Sequence, residues 1–189
     1  MSYEIHLRKA KSTVAMKLSL LRNKMNLVNL KARKEIARSK IIPSLTYGAP
    51  LFASETSDLI HIFHTAMMSI YRAIKNRFVY RESCRQICLA IEEPLPKQLL
   101  KRYLFSFAHK VIHQKRPRTI YNTLKFPTFP RKCKDIFSSL QARTDRRKRT
   151  LTLRVPKIFN SIPQELKYVN PQVFKTRIKK YDIADIPID

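Results

Sequence analysis

Two cysteines and two histidines have the spacing from which a zinc site could be built. Cys84 and Cys88 lie four residues apart, and His109 and His113 repeat that interval later in the chain. Tetrahedral zinc requires thiolate or imidazole ligands that converge on one point. On helices, the cysteines would share an apolar face with neighbouring isoleucines, whereas the histidines would point away from the apolar stripe, towards solvent. We therefore interpret the cysteines as small apolar core residues, and we predict no metal and no other cofactor.

Other catalytic arrangements lack the residues that they need. The only glycine, Gly48, cannot by itself form a phosphate-cradling loop, and neither a nucleophile elbow nor a serine–histidine–aspartate spacing is present. Glu92 and Glu93 are the only adjacent acidic pair, and they lie beside a proline. A set of carboxylates that could hold two Mg²⁺ ions is therefore missing. The sequence predicts no catalytic residues, and the isolated chain is not expected to be an enzyme.

The strongest global feature of the chain is its positive charge. Lys and Arg number 39 among 189 residues against 13 Asp and Glu, which gives a net charge of +26. Such an excess opposes compaction by self-repulsion and favours a polyanionic partner. By charge alone an anionic membrane surface is the second candidate. We predict that the partner is the backbone of RNA or DNA, bound in a salt-dependent manner, and that no membrane is a partner. The sequence contains no apolar run long enough to span a bilayer.

Two clusters of cations are the candidate phosphate contacts. Residues 1–40 carry eleven basic and two acidic side chains, and a helical surface with charges of nearly one sign favours phosphate contact over a solvated face. The second cluster lies in an irregular loop over 127–154, for which a disordered basic tether is the alternative interpretation. The predicted phosphate-binding residues are Arg33, Lys34, Arg38, Arg146, Arg147, Lys148 and Arg149.

The elements that must position these cations are predicted to be helices. A single glycine and abundant Leu, Ile, Lys and Arg favour helices over β-hairpins. Only 151–155 alternates as a short strand would. Apolar residues at steps of three and four predict helices over 3–25, 30–41, 57–76, 82–91, 96–113 and 117–125, and Asn170 is expected to cap a last one. We predict an all-α fold, an irregular helical bundle with a basic irregular loop and short C-terminal helices.

The stretch 41–52 contains the only glycine, set between two prolines. Pro43 either kinks one long helix or lies in the first turn of a second. Gly48 either lets another backbone approach closely or supplies a positive φ in a turn. The apolar residues around this stretch have the spacing of one helical face, namely Leu27, Leu30, Ala37, Ile41, Leu45, Gly48 and Phe52.

This stretch also resembles a known family. Its pattern is similar to P-x-L-x-Y-G-x-x-x-aromatic, which occurs just past the polymerase domain in reverse transcriptases of non-LTR (LINE-type, jockey-like) retrotransposons. Phe stands where that family usually has Trp. The residues that fill the pattern are Pro43, Leu45, Tyr47, Gly48 and Phe52.

Three later segments extend the resemblance over most of the chain. Residues 154–163 resemble the R-x-P-x-x-W-N-x-L-P signature, with Phe159 for Trp and Ile162 for Leu. Residues 174–181 resemble the ending F-K-x-x-L-K-x-Y, and 104–126 resemble a helix with a His-Lys pair and a following proline turn. A cysteine/histidine knuckle of the family's spacing is not found.

The resemblance implies the thumb and post-thumb region of such a polymerase. A thumb-like basic bundle is expected over 1–93, and a C-terminal helical segment with the basic loop is expected over 94–189. The palm with its catalytic carboxylates, and any endonuclease, would lie before residue 1, so a missing palm domain is an expected partner. The family's role for this region is to grip template and primer. Tyr47, Phe159 and Phe174 are assigned to packing, and stacking of bases on Tyr80 stays open.

Three hypotheses about function follow from these observations. The first is a non-catalytic, nucleic-acid-binding fragment of a non-LTR reverse transcriptase, and the second is a free-standing basic helical RNA-binding protein of a ribonucleoprotein. The third is a helical subunit that needs a partner chain to complete its core. An odd number of cysteines and an N-terminus without a signal peptide indicate an intracellular location, in the nucleus or the cytoplasm.

Overall fold

The computed structural model describes residues 3–25, 27–47, 57–75, 82–124 and 150–181. These residues are mostly helical and contain no strand, which confirms the predicted all-α fold. The helices are α1 (Tyr3–Met25), α2 (Leu30–Ile36), a π-helical turn (Ala37–Ile41), α3 (Ile42–Thr46), α4 (Ser57–Lys75), α5 (Cys84–Ala90), α6 (Pro96–Gln114), α7 (Arg118–Thr123), α8 (Leu151–Asn160), α9 (Gln164–Lys167) and α10 (Pro171–Lys180). The chain forms two compact units, unit 1 (Met1–Leu100) and unit 2 (Lys101–Asp189).

Helix α4 forms the centre of unit 1. Its residues Phe63, Met67, Ile70 and Ile74 are all buried, as their spacing along the helix predicts. Helix α1 is the main neighbour of α4, and α2, α3 and α5 also pack against α4. Burial of one apolar stripe from each surrounding helix therefore explains why the helices of this unit form at all, since propensity alone stabilises short helices only weakly.

Pro43 changes the pitch of the chain between α2 and α3. The N–H of Ile42 donates to the carbonyl of Ala37, five residues back, and Pro43 follows in the first turn of α3. A proline ring clashes with the preceding turn and offers no donor, so a wider π-helical turn relieves the conflict without ending the helical path. Lys17 of α1 donates to the Lys40 carbonyl within this turn, at 2.9 Å.

The predicted apolar face around Pro43 is only partly confirmed. Ala37, Ile41 and Leu45 are buried, but Leu27 is 87% exposed and Leu30 is also exposed. Leu27 precedes the N-cap residue of α2, where the Asn29 side chain accepts a hydrogen bond from the Ala32 N–H. The chain is therefore not yet helical at Leu27, and helical spacing does not apply there. The predictions for Gly48 and Phe52 fall outside the described residues.

Arg33 joins α2 to the end of α4. Its Nε donates to the Val28 carbonyl at 2.8 Å, and its Nη1 donates to the Ile74 carbonyl at 2.9 Å. Carbonyls in the last turn of a helix have no partner within the helix, and they carry its partial negative charge. A guanidinium that donates to Ile74 satisfies one such group and stabilises the packing of two helices.

We expect Arg33→Ala to lower the free energy of unfolding by about 1–3 kcal/mol, because two carbonyl oxygens lose a charged donor. Denaturant unfolding followed by circular dichroism measures this change. Lys31→Ala removes the same charge from an exposed position on the same helix, and it should change stability by less than about 0.5 kcal/mol. Equal effects of the two substitutions would contradict a structural role for Arg33.

The stretch 151–155, whose alternation was too short to indicate more than a possible strand, is helical in unit 2. These residues form the first half of α8. Buried Val155, Ile158, Phe159 and Ile162 follow one another at steps of three and four, which is the spacing of a helical face. Five alternating residues were too few to outweigh that pattern. The described end of the predicted loop, 151–154, is therefore helical, while 125–149 lie outside the described residues.

Capping residues define the starts of two short helices. The Ser83 side chain accepts from the Gln86 N–H, and the Gln86 side chain accepts from the Ser83 N–H, so a capping box opens α5. The Asn170 side chain accepts from the Gln172 N–H at the start of α10, as predicted. These local bonds explain why helices of only 7 and 10 residues begin where they do.

Candidate nucleic-acid interface

The three predicted phosphate-binding residues of unit 1 have partners within the protein. Arg33 donates to two carbonyls, as described above. Lys34 Nζ lies 2.8 Å from a Glu92 carboxylate oxygen, and Arg38 Nη2 lies 2.7 Å from a Glu93 carboxylate oxygen. The hydrogen bond and charge of Lys34 hold the pKa of Glu92 below its usual range. A phosphate that approached these cations would have to compete with the two carboxylates.

The four predicted residues of unit 2, Arg146 to Arg149, lie outside the described residues. The residues that flank their segment are described, however, and they lie close together. The hydroxyl oxygens of Thr123, at the end of α7, and Thr152, at the start of α8, are 3.4 Å apart. The described residues on the two sides of 125–149 are therefore close together in unit 2.

Helix α10 carries four exposed cations that the sequence analysis did not count among the candidate phosphate contacts. Phe174 and Ile178 are buried, while the remaining faces of the helix are exposed. Within the described part of the chain, the side chains on these faces form no ion pair and no hydrogen bond with a carboxylate. The exposed cations of α10 are Lys175, Arg177, Lys179 and Lys180.

Acidic side chains are rare among the residues of unit 2 that the structure describes. The described residues of unit 2 include thirteen Lys and Arg but one carboxylate, that of Glu165. Glu165 accepts a hydrogen bond from the Tyr181 hydroxyl at 2.9 Å, and this raises the pKa of Tyr181. Among the described residues of unit 2, the positive charge of the α10 cations is therefore not balanced by nearby carboxylates. The signal in the sequence was four cations within 175–180 without an intervening acid.

An aromatic cluster fixes α10 on α6. The His109 ring stacks on Phe174 at 4.0 Å between centroids and on His113 at 4.1 Å, and Phe159 lies 6.5 Å from His109. Arg102 of α6 also donates to the Lys179 carbonyl, at 2.8 Å, near the end of α10. The exposed cations therefore lie on a helix, α10, whose buried side is well packed.

This cluster overturns the prediction that His109 points towards solvent. His109 is 1% exposed. The prediction assumed that α6 has one apolar stripe, but α8 and α10 cover a second face of the same helix. Burial, and then the neighbouring His113, lower the pKa of His109 to about 4, while the Val169 and Leu166 carbonyls oppose the shift. His109 is therefore neutral at neutral pH.

His113 holds the chain between α9 and α10. Its Nε2 lies 2.6 Å from the Lys167 carbonyl at the end of α9, a geometry in which the ring N–H donates. His109 and His113 of α6 therefore both contact the backbone of α9 or of the connection between α9 and α10. Their spacing of four residues places both rings on one face of α6, where they serve packing and hydrogen bonding.

The cysteines and histidines of the hypothetical zinc pattern do not form one group. Cys84 and Cys88 belong to unit 1, whereas His109 and His113 belong to unit 2. Among the residues that the structure describes, no three His, Cys, Asp or Glu side chains are arranged to hold a metal ion. Burial raises the pKa of Cys88 to about 12, aided by Cys84 and by the carboxylate of Glu93. Cys88 therefore remains a thiol in the core, as interpreted from the sequence.

The aromatic residues assigned to packing divide into two groups. Phe159 and Phe174 are buried, which confirms their assignment. Tyr47 is 76% exposed, so its assignment to packing is wrong. Tyr47 follows the last residue of α3 and has an extended ψ of 121°, which takes its side chain off the buried helical face. Tyr80 lies outside the described residues.

Three comparisons with known proteins were negative. A scan against protein-family models, a search of curated proteins and a search of solved structures each found no match to the chain. The resemblance to non-LTR reverse transcriptases therefore stays a prediction that depends on the motifs themselves. Within the described residues, no helix is long and apolar enough to cross a membrane.

Proposed function

We propose that this chain binds nucleic acid, without catalysing a reaction, through contacts between phosphates and cations of unit 2. The observation that carries the proposal is the exposed face of α10, whose four cations lack carboxylate partners among the described residues. Because Phe174 and Ile178 are buried beneath them, the helix that carries these cations is already ordered. Binding then requires little further loss of backbone entropy.

The dimensions of α10 suit the spacing of a nucleic-acid backbone. A helix of 10 residues is about 15 Å long at about 1.5 Å per residue. Duplex DNA carries about one negative charge per 1.7 Å of its axis, so several phosphates lie within reach of one such helix. Phosphate contacts position a protein but carry no sequence information. We therefore propose binding to RNA or DNA without sequence preference, with Arg146 to Arg149 as a second group of contacts.

The dependence of affinity on salt tests this proposal. For the parent chain, log affinity for a duplex should fall steeply with log salt concentration between about 50 and 200 mM. Changing the four α10 cations to Gln should make the slope less steep by about 2–4, because each neutralised phosphate contributes about 0.9. Fluorescence anisotropy over a salt series measures the slope.

Two variants with the same loss of charge serve as comparisons. Changing Arg146 to Arg149 to Gln should also reduce the slope, whereas changing four exposed lysines of unit 1 should leave it nearly unaltered. Those control lysines are Lys9, Lys11, Lys31 and Lys40. A parent slope near zero would exclude binding through phosphates. Equal effects of the α10 and unit 1 variants would show that binding is not localised to unit 2.

We further propose that this function is that of the region which the sequence resembles, a grip on template and primer beside a polymerase palm. Three separate segments carry the later part of the resemblance, and each contributes one ring to the same cluster: His109, Phe159 and Phe174. If the three motifs preserve the core on which α10 packs, residues from all three are expected to meet in that core.

Addition of a purified palm domain distinguishes this role from that of a free-standing RNA-binding protein. A thumb-like region that docks on a palm should unfold at a higher temperature in its presence, since any partner that binds only the folded state stabilises it. An unchanged melting temperature at a saturating palm concentration would favour the free-standing protein. Binding to RNA in the absence of the palm is expected in both cases.

A further inference from the structure

Two sulfur atoms and one imidazole nitrogen of unit 1 lie close together between α4 and α5. Cys84 Sγ lies 3.2 Å from Met68 Sδ and 3.6 Å from His64 Nε2. His64 and Met68 are one turn apart on α4, so their side chains leave the same side of that helix. Cys84 is the first residue of α5, and the capping box of that helix fixes its position. A thiol, a thioether and an imidazole thus converge from two packed helices.

We propose that Cys84, Met68 and His64 form a binding site for a soft monovalent metal ion, Cu(I). Thiolate and thioether sulfur select Cu(I) over harder ions, and imidazole also suits copper. With metal–sulfur bonds of about 2.3 Å and metal–nitrogen bonds of about 2.0 Å, three ligands in a plane around one ion lie about 3.7–4.0 Å apart. The two observed separations therefore need to grow by less than about 1 Å.

The composition of the cluster argues against zinc. Structural zinc sites use four thiolate, imidazole or carboxylate ligands, and thioether sulfur is not one of them. The described residues supply no group of three His, Cys, Asp or Glu at this place. Cu(I), in contrast, can be bound by few soft ligands. The thioether of Met68 is therefore the ligand that favours Cu(I) over zinc.

The charge of a bound Cu(I) suits this strongly basic chain. On binding, the Cys84 S–H bond is replaced by a metal–sulfur bond, and the proton passes to solvent. Copper remains Cu(I), and His64 donates a lone pair as a neutral imidazole. The thiolate and the ion cancel, so a half-buried site gains no net charge. A divalent ion would add charge to a chain that already carries +26.

The site is accessible without unfolding. Cys84 and His64 are both half-buried. His64 also lines an apolar cavity of about 250 Å³, together with Ile60, Pro96 and Leu100. An ion in this cavity can therefore approach His64. Met68 is buried beneath the other two donors, where its thioether can close the site from the interior.

Titration of the full-length chain with Cu(I) under anaerobic conditions tests the proposal. A Cys133→Ser background removes the third thiol of the chain, and a coloured Cu(I) chelator serves as competitor. We expect one equivalent to bind, with two sulfur and one nitrogen neighbours in X-ray absorption spectra. Met68→Leu and His64→Gln should each weaken binding by more than about tenfold, the smallest loss typical even of residues that only support a ligand.

Control variants distinguish the loss of a metal ligand from the loss of the fold and from binding at other residues. Met68→Leu conserves volume and should leave the fold intact, as thermal unfolding without metal would verify. His61→Gln, on the same helix and exposed, should bind Cu(I) as the parent does, and so should Cys88→Ala. Parent-like affinity in both Met68→Leu and His64→Gln would overturn the proposal, since the ion would then be held by thiol alone. A loss on Cys88→Ala as large as that on Met68→Leu would overturn it in favour of a two-cysteine site.

Discussion

Phe174→Ala is expected to lower the free energy of unfolding of unit 2 by about 3–5 kcal/mol. Phe174 is 1% exposed, and its ring stacks on His109 at 4.0 Å. Its removal leaves a cavity beneath α10 and exposes the histidine stack of α6. Denaturant unfolding monitored by circular dichroism measures the loss. Val173→Ala, at an exposed neighbouring position, should change stability by less than about 0.5 kcal/mol.

Phe174→Ala also tests whether nucleic-acid binding depends on the arrangement of the α10 cations or only on their number. Phe174→Ala leaves all four cations in place, yet a helix that no longer packs on α6 does not hold them in one array. We expect the salt dependence of nucleic-acid binding to become less steep, in the direction expected when the four cations are changed to Gln. A parent-like slope and parent-like stability would together show that Phe174 does not hold α10.

The stability of unit 2 is expected to fall as the pH is lowered from about 6.5 to about 4. Burial lowers the pKa of His109 from 6.5 to about 4 in the folded chain, so the unfolded chain binds its proton first. The contribution of neutral His109 is therefore complete above pH 6.5 and is lost progressively below it. The total loss is at most about 3 kcal/mol, at 1.36 kcal/mol per pKa unit.

Substitution of His109 provides the test of this pH dependence. His109→Leu keeps an apolar side chain against Phe174 and should remove this part of the pH dependence, as measured by urea unfolding at pH 7 and pH 5. The groups that face His109 are His113 on α6 and the carbonyls of Leu166 and Val169. His61→Gln, in unit 1, should retain the parent profile. Identical profiles for His109→Leu and the parent would contradict the assignment to His109.

The long helices were predictable because their signal is local. Helix α4 was expected over 57–76 and extends over Ser57–Lys75, and α6 was expected over 96–113 and extends over Pro96–Gln114. Each contains an apolar stripe at steps of three and four, and a stripe of that kind can be buried only by a helix. The Asn170 cap was predictable for a similar reason, since its hydrogen bond reaches only two residues along the chain.

The environment of His109 was not predictable from the same stripes. The apolar stripe of α6 explains why one face of that helix is buried. The second face is buried because Phe159 and Phe174 pack against it. Those residues come 50 and 65 positions later in the chain. The helix that begins at Leu151 was not predicted for a related reason, because only the burial of Val155 with Ile158 shows which periodicity the packing uses.

By itself, the sequence determined that this protein is helical and strongly basic. Both properties are sums over local residues: periodic apolar positions in one case and a count of charges in the other. Only the tertiary structure decided which cations are neutralised, because ion pairs depend on distant segments that meet in space. Lys34 and Arg38 find carboxylates 58 and 55 residues away, whereas α10 packs where the described chain offers its cations none. That difference is why we propose α10, and not α2 with its π-helical turn, as the described part of the interface.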